Sequence, residues 1–343
     1  MVIKVKVTSI FLTIALTAAL LTTACGGDTS KGSVVVYTSV DQVFSEPILK
    51  QFEEESGINV LPVFDVEAVK TTGLVNRLIA EKDRPQCDVF WNGEFAQTIL
   101  LKEEGVLAPY LSPNADSIPE QYIDPDGYWI GFGGRARVML VNTDLVSPSD
   151  YPESIFDMLD SAWSANRIGI AYPLFGTTAT QAAALYAALG PEAGRAFFQD
   201  LYDHGVRVVD GNSVVRDLVA SGKLIMGLTD TDDACGALSR GAPVAIVFPD
   251  QDGLGTLIIP NTVALIAGAP HPTEAKMLID YLLSTEVEGR LIESGWSQVP
   301  LRPSGIQPSY LQGADVKGMN VSLAQVFGQL RLAKEELAEI FIR

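Results

Sequence analysis

The chain has 343 residues, with 24 Lys and Arg against 42 Asp and Glu, for a formal net charge of −18. That length favours two domains, and 47% hydrophobic residues provide for large cores, which excludes a disordered acidic chain. The charge repels polyanions and excludes nucleic acid as a partner, and three cysteines are too few for a disulfide framework.

Residues 1–24 carry Lys4 and Lys6, no acid, and an apolar stretch over residues 10–21. A membrane span needs roughly 20 apolar residues, so this shorter stretch reads as an export signal. The closing Leu21-Thr22-Thr23-Ala24-Cys25 resembles a bacterial lipoprotein signal, although Thr22 stands where that pattern usually has Leu. The resemblance implies lipidation of Cys25 and a membrane-anchored, periplasmic or cell-surface protein. Residues 25–32 are small and polar, as a flexible tether should be. Removing residues 1–24 takes away two positive charges and no acid, so the net charge falls from −18 to −20.

Val34-Val35-Val36-Tyr37 is a β-branched run that predicts a buried strand. Residues 45–57 predict a helix, with Ile48, Leu49 and Phe52 at helical spacing and Gly57 as its stop. A strand follows at 58–64, then a helix at 70–81 with Leu74, Leu78 and Ile79 on one face. Asp88-Val89-Phe90-Trp91 predicts a third strand, and residues 94–104 a helix closed by Gly105. This βαβαβα order implies a parallel sheet with helices on both faces. Further strands are predicted at 138–142, 168–172, 206–209, 224–228 and 263–267, with helices at 178–189, 214–221 and 273–283. Residues 322–341 read as one or two terminal helices. Cys87 and Cys235 read as small buried thiols, and Trp91, Trp129, Trp163 and Trp296 as core or hinge residues.

Ligands of open α/β sheets bind beyond the carboxyl ends of the strands. That rule selects the loops at 38–41, 91–94, 175–178, 210–213 and 229–233, which are also rich in polar side chains.

Several motifs then fall in a familiar order. They are Val35-Val36-Tyr37-Thr38, Phe52-Glu53-Glu54-Glu55-Ser56-Gly57-Ile58, Asp88-Val89-Phe90-Trp91 and Gly134-Arg135-Ala136-Arg137-Val138. Pro173-Leu174-Phe175-Gly176-Thr177-Thr178, Asn212-Ser213-Val214-Val215, Gly222-Lys223-Leu224 and residues 275–282 continue the series. The series resembles the ferric-ion-type solute-binding proteins of bacterial ABC importers over nearly the whole exported chain. The resemblance implies a periplasmic-binding-protein-like two-lobe fold (type II), in which two α/β lobes joined by a hinge enclose one ligand cleft. It places the first lobe at 33–134 plus 255–303 and the second at 135–254 plus 304–343. It also implies an ABC permease and its ATPase as partners, a monomer, and binding without catalysis or catalytic cofactor.

Carried onto this sequence, the anion half of that site matches. Gly176, Thr177, Thr178 and Asn212 would hold an oxyanion beside the metal, consistent with donors at a helix start. Helix capping by either threonine, or a turn role for Asn212, would explain the same residues. Arg135 would reach the anion or join the lobes. The metal half departs, because the family's adjacent tyrosine ligands fall on Asp232 and Asp233. With Asp41 and Glu94 these offer four carboxylate metal ligands, and Asp230 adds a fifth acid to the cleft. Thr38, Ser39 and Asn92 complete the ligand-facing loops. Such a set suits hard, oxygen-loving cations such as Ca²⁺, Mg²⁺, Mn²⁺ or Fe³⁺. It also suits the cationic end of an aminophosphonate, or a sugar phosphate, with the anion at Gly176–Thr178. Asp230 and Asp232 form an Asp-x-Asp after an apolar strand, which resembles phosphatases of the haloacid-dehalogenase type. That family has its strand at the domain start, whereas here it lies two-thirds of the way along. His204 and His271 give neither a hydrolase triad spacing nor a zinc-ligand spacing.

Overall fold

The computed structural model describes residues 32–65, 72–302, 307–308, 310–311 and 315–342. The export signal, Cys25 and the tether up to residue 31 lie outside the described residues. In chain order come β1 (Ser33–Thr38), α1 (Gln42–Ser56), β2 (Asn59–Phe64), α2 (Thr72–Ala80), β3 (Val89–Asn92), α3 (Ala96–Glu103) and β4 (Leu107–Ala108). β5 (Ile130–Asn142), β6 (Ile168–Ala171), α4 (Gly176–Leu189), α5 (Pro191–His204), β7 (Arg207–Val209) and α6 (Asn212–Ala220) follow. The chain closes with β8 (Met226–Asp230), α7 (Thr231–Ser239), β9 (Val244–Val247), β10 (Ile258–Ile266), α8 (Pro272–Leu282), α9 (Thr285–Glu293) and α10 (Leu323–Phe341).

The strands lie in the order β2-β1-β3-β10-β5-β8-β6-β7, with β4 on β10 and β9 on β5. β1, β2 and β3 are parallel, as are β6, β7 and β8. β5 is antiparallel to its neighbours on both sides and changes partners midway. Ile130 to Ala136 pair with β10, whereas Arg137 to Asn142 pair with β8 and β9. One strand therefore joins two parallel sheet halves. Every residue of β5 except Arg135 is buried, as a strand covered on both faces requires.

Local sequence explains most elements. Ile48, Leu49 and Phe52 form the buried stripe of α1, and Gly57 closes it at φ 71°. β3 is buried at all four positions, which fits its unbroken apolar run. Trp91 lies in the core against Phe132, with ring centroids 6.1 Å apart. Cys87 and Cys235 are both free. Among the described residues no helix is long and apolar enough to cross a membrane.

The differences from expectation have identifiable causes. α5 carries Pro191 in its first turn and ends at Gly205 with φ 90°, a start and stop that outweigh its weak apolar pattern. α9, β4 and β9 also lie outside the predicted elements. β5 starts at Ile130 rather than near 138, because Gly133-Gly134 interrupts the strand pattern without ending the strand. Gly133 has φ 41°, and a Cβ there would lie 2.8 Å from Ser297 Oγ, so only glycine fits. Residues 322–341 form one helix, which packs on α4 and α5.

Close to that glycine the sheet is fastened by a buried ion pair. Glu288 of α9 accepts from Gly133 N at 2.9 Å and from Leu301 N at 3.0 Å. Its second oxygen lies 2.9 Å from Arg302 Nε, without hydrogen-bond alignment, and both side chains are buried. Removing one member strands the other charge in the interior. Glu288→Ala is therefore expected to cost about 3–5 kcal/mol in urea unfolding, and adding Arg302→Met should recover part of it. A double variant no more stable than Glu288→Ala would show that the lost backbone bonds, not the stranded charge, dominate.

Candidate functional site

The register fixes where the loops converge. Asn92, at the carboxyl end of β3, lies opposite Thr262, and Asp230, at the carboxyl end of β8, lies opposite Arg137. β8 therefore ends beside the middle of β5, whereas β3 ends one strand further away, level through Thr262 with Gly131 near the start of β5. Arg135 and Arg137 are two residues apart on that strand, so they project from the same face.

Arg137 is 1% exposed and sits at the inner end of the site. Its Nη1 donates to Asp230 Oδ1 at 2.7 Å, to Thr177 Oγ1 at 3.1 Å and to Asn212 Oδ1 at 3.1 Å. Thr177 Oγ1 donates to Asp230 Oδ2 at 2.6 Å, and Asn212 Nδ2 donates to the same oxygen at 3.0 Å. Thr178 Oγ1 accepts a long bond from Arg137 Nη2 at 3.4 Å and donates to Asn212 at 3.3 Å. The side chains expected to hold an external oxyanion thus close around the carboxylate of Asp230. Gly176 opens α4 at φ 54° and is exposed, as is Phe175 before it.

Asp230, Asp232 and Asp233 each present a ligand atom, and these atoms lie within 4.8 Å of one another. Each acid has an arginine. Asp232 pairs with Arg135 at 3.2 Å and Asp233 with Arg216 at 2.7 Å, in addition to the Asp230–Arg137 pair. Arg216 is shared, because its Nε also donates to Asp217 Oδ1 at 2.8 Å, so the three guanidiniums face at least four carboxylates. Burial, together with the neighbouring Asp232, pushes Asp233 up to about 6 despite Arg216.

Arg135 links the two halves of the sheet. Besides Asp232 it donates to the carbonyl of Gly93 at 3.4 Å, and its guanidinium lies 5.9 Å from the ring centroid of Trp296. Glu94 stands beside it in the loop after β3. The Glu94 carboxylate accepts from Ala96 N, Gln97 N and Asn92 Nδ2 and so caps α3. Burial raises its pKa, partly offset by these donors.

The first-half loop corrects part of the expected ligand set. Thr38, Ser39 and Asn92 are buried and bonded within the protein. Thr38 Oγ1 accepts from Val40 N, while Ser39 Oγ donates to Asn92 Oδ1 and accepts from Gly93 N. These bonds shape the loop, because a strand end packed this tightly satisfies its polar groups internally. Asp41 is half-buried at the N-cap of α1. Among the described residues Asp41 and Glu94 fall outside the three-acid group, so the four expected metal ligands do not meet in one cluster. Sequence reasoning missed Arg137 and Arg216 as site residues. The two-residue period from Arg135 would have found the first, and the helical position of Arg216, one turn after Asn212, the second. Tyr37 donates to Glu81, and Tyr172 to the carbonyl of Phe341, so neither phenol is directed at the cluster.

Two α/β halves whose strand ends converge on one strip of charged side chains define a two-lobe ligand-binding protein. The bacterial extracellular solute-binding protein family matches over residues 85–320, and this chain belongs to it. Membership implies export. Iron uptake protein A1 of Synechocystis is 25% identical over 300 residues, 84% of this chain and 81% of that protein. A Salmonella typhimurium periplasmic protein provisionally named for binding 2-aminoethylphosphonate is 27% identical over 241 residues, 69% of this chain and 68% of that protein. A Trichodesmium protein solved with iron and citrate shares the fold, with a TM-score of 0.81 at 20% identity over 91% of this chain and 100% of that one.

The raised Asp233 makes a stability prediction. Its folded pKa of about 6 lies above its ordinary value of 3.8, so its charge costs stability progressively as pH rises through that window. In metal-free protein Asp233→Asn should stabilise by about 1 kcal/mol at neutral pH, allowing for partial solvation, and by nothing near pH 3. Urea unfolding at both pH values checks this. A loss of stability at neutral pH would show that the Arg216 pair outweighs burial.

Proposed function

We propose that the protein captures iron(III), or a cation of similar hardness, together with a small oxyanion and delivers it to an ABC permease and its ATPase. The observation that carries this reading is the adjacent pair Asp232 and Asp233, whose ligand atoms lie within 4.8 Å of each other. Asp232 and Asp233 are the intended ligands, with Glu94 and Asp41 brought in from the first lobe by closure. The lobes are taken as 33–134 plus 255–303 and 135–254 plus 304–343, and closure is a population shift driven by the ligand's better contacts in the closed form. Lipidated Cys25 would hold the protein, as a monomer, at the membrane.

Charge balance supports a paired ligand. A cation drawn to Asp232 and Asp233 displaces Arg135, which then needs a new anion, and leaves Arg216 with Asp217 alone. An oxyanion arriving with the cation satisfies Arg135 bidentately. The iron-uptake relative supports the cation.

The same arginines favour a second reading, an aminophosphonate or sugar phosphate whose anionic group sits on Arg135 and Arg216 while its cationic or hydroxyl end meets the aspartates. A phosphonate relative agrees with it. Catalysis by an Asp-x-Asp mechanism is disfavoured, because Asp230 is 4% exposed and both its oxygens are already engaged.

Thermal unfolding with iron(III) citrate, Ca²⁺, Mn²⁺, phosphate and 2-aminoethylphosphonate separates the readings. Iron(III) with an oxyanion should raise the melting temperature, and Asp232→Asn or Asp233→Asn should abolish the shift. Iron affinity should also fall as pH drops through about 6, where Asp233 takes up its proton. A shift with 2-aminoethylphosphonate and none with any metal would sink the cation reading. A carboxylate site should also lack the strong visible colour of iron phenolates.

A further inference from the structure

We propose that Asp230 is a built-in anion, permanently filling the inner seat formed by Arg137, Thr177 and Asn212, so that no external anion enters there. The proposal rests on the cleft being the ligand site, but the seat itself is defined by bonds that need no ligand.

Three donors from three different elements meet at one carboxylate. Arg137 comes from β5, Thr177 from the first turn of α4 and Asn212 from the first turn of α6, while Asp230 ends β8. Their bonds to Asp230 measure 2.7, 2.6 and 3.0 Å. A charged acceptor shared by a guanidinium and two neutral donors has the coordination of a bound anion. Here a covalently attached group supplies it. Arg137 and Asp230 are both buried, so neither can exchange its partner for water.

The seat also holds unused capacity. Arg137 Nε is buried and has no hydrogen-bond partner, and its Nη2 reaches only the long Thr178 contact. Asp230 engages the guanidinium through one nitrogen instead of across its fork. If the carboxylate is removed, the space and the unsatisfied donors should accept a free anion of similar size. Thr177, half-buried beside the exposed Gly176, gives the entry.

It follows that ligand capture draws any anion dependence from the outer guanidiniums, Arg135 and Arg216, and none from Thr177 or Asn212. Internal neutralisation also leaves Asp230 unavailable as a metal ligand, since both of its oxygens already accept strong bonds.

Small-anion rescue in chelator-treated protein tests this without any transported ligand. Asp230→Ala should lower the melting temperature by on the order of 5–10 °C. Formate or acetate should restore roughly half of that loss, while chloride at equal ionic strength should not. In Asp230→Ala/Arg137→Met the anion effect should vanish. An Asp230→Ala protein as stable as the parent, or one unmoved by formate, acetate and phosphate, overturns the proposal. If that variant does not fold, the unaltered protein still decides. Its phosphate-dependent stabilisation should be unchanged by Thr177→Val, and a phosphate shift lost in that variant would show an external anion in the inner seat. Failure of metal binding would leave all of these results standing, so the two readings fail separately.

Discussion

The ion pair between Arg137 and Asp230 is the contact on which the rest of the site depends. Placing two charges where each is nearly inaccessible to water costs several kcal/mol per ion. The cost is offset only because Thr177 and Asn212 complete the coordination of the carboxylate at 2.6 and 3.0 Å. Four elements must be in register for that to happen: β5, β8, α4 and α6. Arg137 lies opposite Asp230 in the β5–β8 ladder, so the pair also falls at the point where β5 changes partners. The same bonds thus set the inner wall of the cleft and hold the crossing strand.

The three acid–arginine pairs are graded by access to solvent. The side chains of Arg137 and Asp230 are 1% and 5% exposed, those of Arg216 and Asp233 19% and 17%, and those of Arg135 and Asp232 19% and 41%. Screening and side-chain entropy make the outer pairs worth little, whereas the innermost cannot be broken without stranding a charge. The grading divides labour within one row of chemically similar residues. The inner pair belongs to the scaffold, and under the proposed function the outer two would exchange partners with a ligand.

Sequence patterns revealed the architecture better than the site. The βαβαβα start and the loops at strand ends were legible because apolar periodicity and glycine stops act locally. β9 was not, since an edge strand so short takes its stability from packing, and α5 was overlooked although Pro191 and Gly205 mark its ends. The aspartates at 230, 232 and 233 were found as a group because they are adjacent in sequence. Arg135 was found through its motif, but Arg137 and Arg216 were not, because they come from β5 and α6 and meet the acids only through the fold. Thr38, Ser39 and Asn92, expected beside the ligand, are instead seen bonded within the protein. Polarity at a strand end marks a loop that must satisfy its own backbone as readily as one that faces a ligand.

The net charge of −18 is consequently a poor guide to the cleft, where each clustered aspartate is paired with a guanidinium. The long-range field of an acidic protein still draws cations and raises their encounter rate. Under the cation reading, affinity is a separate quantity, because Asp232 and Asp233 must each first release an arginine. That competition weakens binding, and it equally speeds release, since the guanidiniums return as the cation leaves. A binding protein must let go at the permease, and a site made only of unpaired carboxylates would hold a trivalent ion too firmly to do so. Under that reading, self-pairing charges would make capture reversible with residues that, taken one by one from the sequence, point to a much tighter metal site.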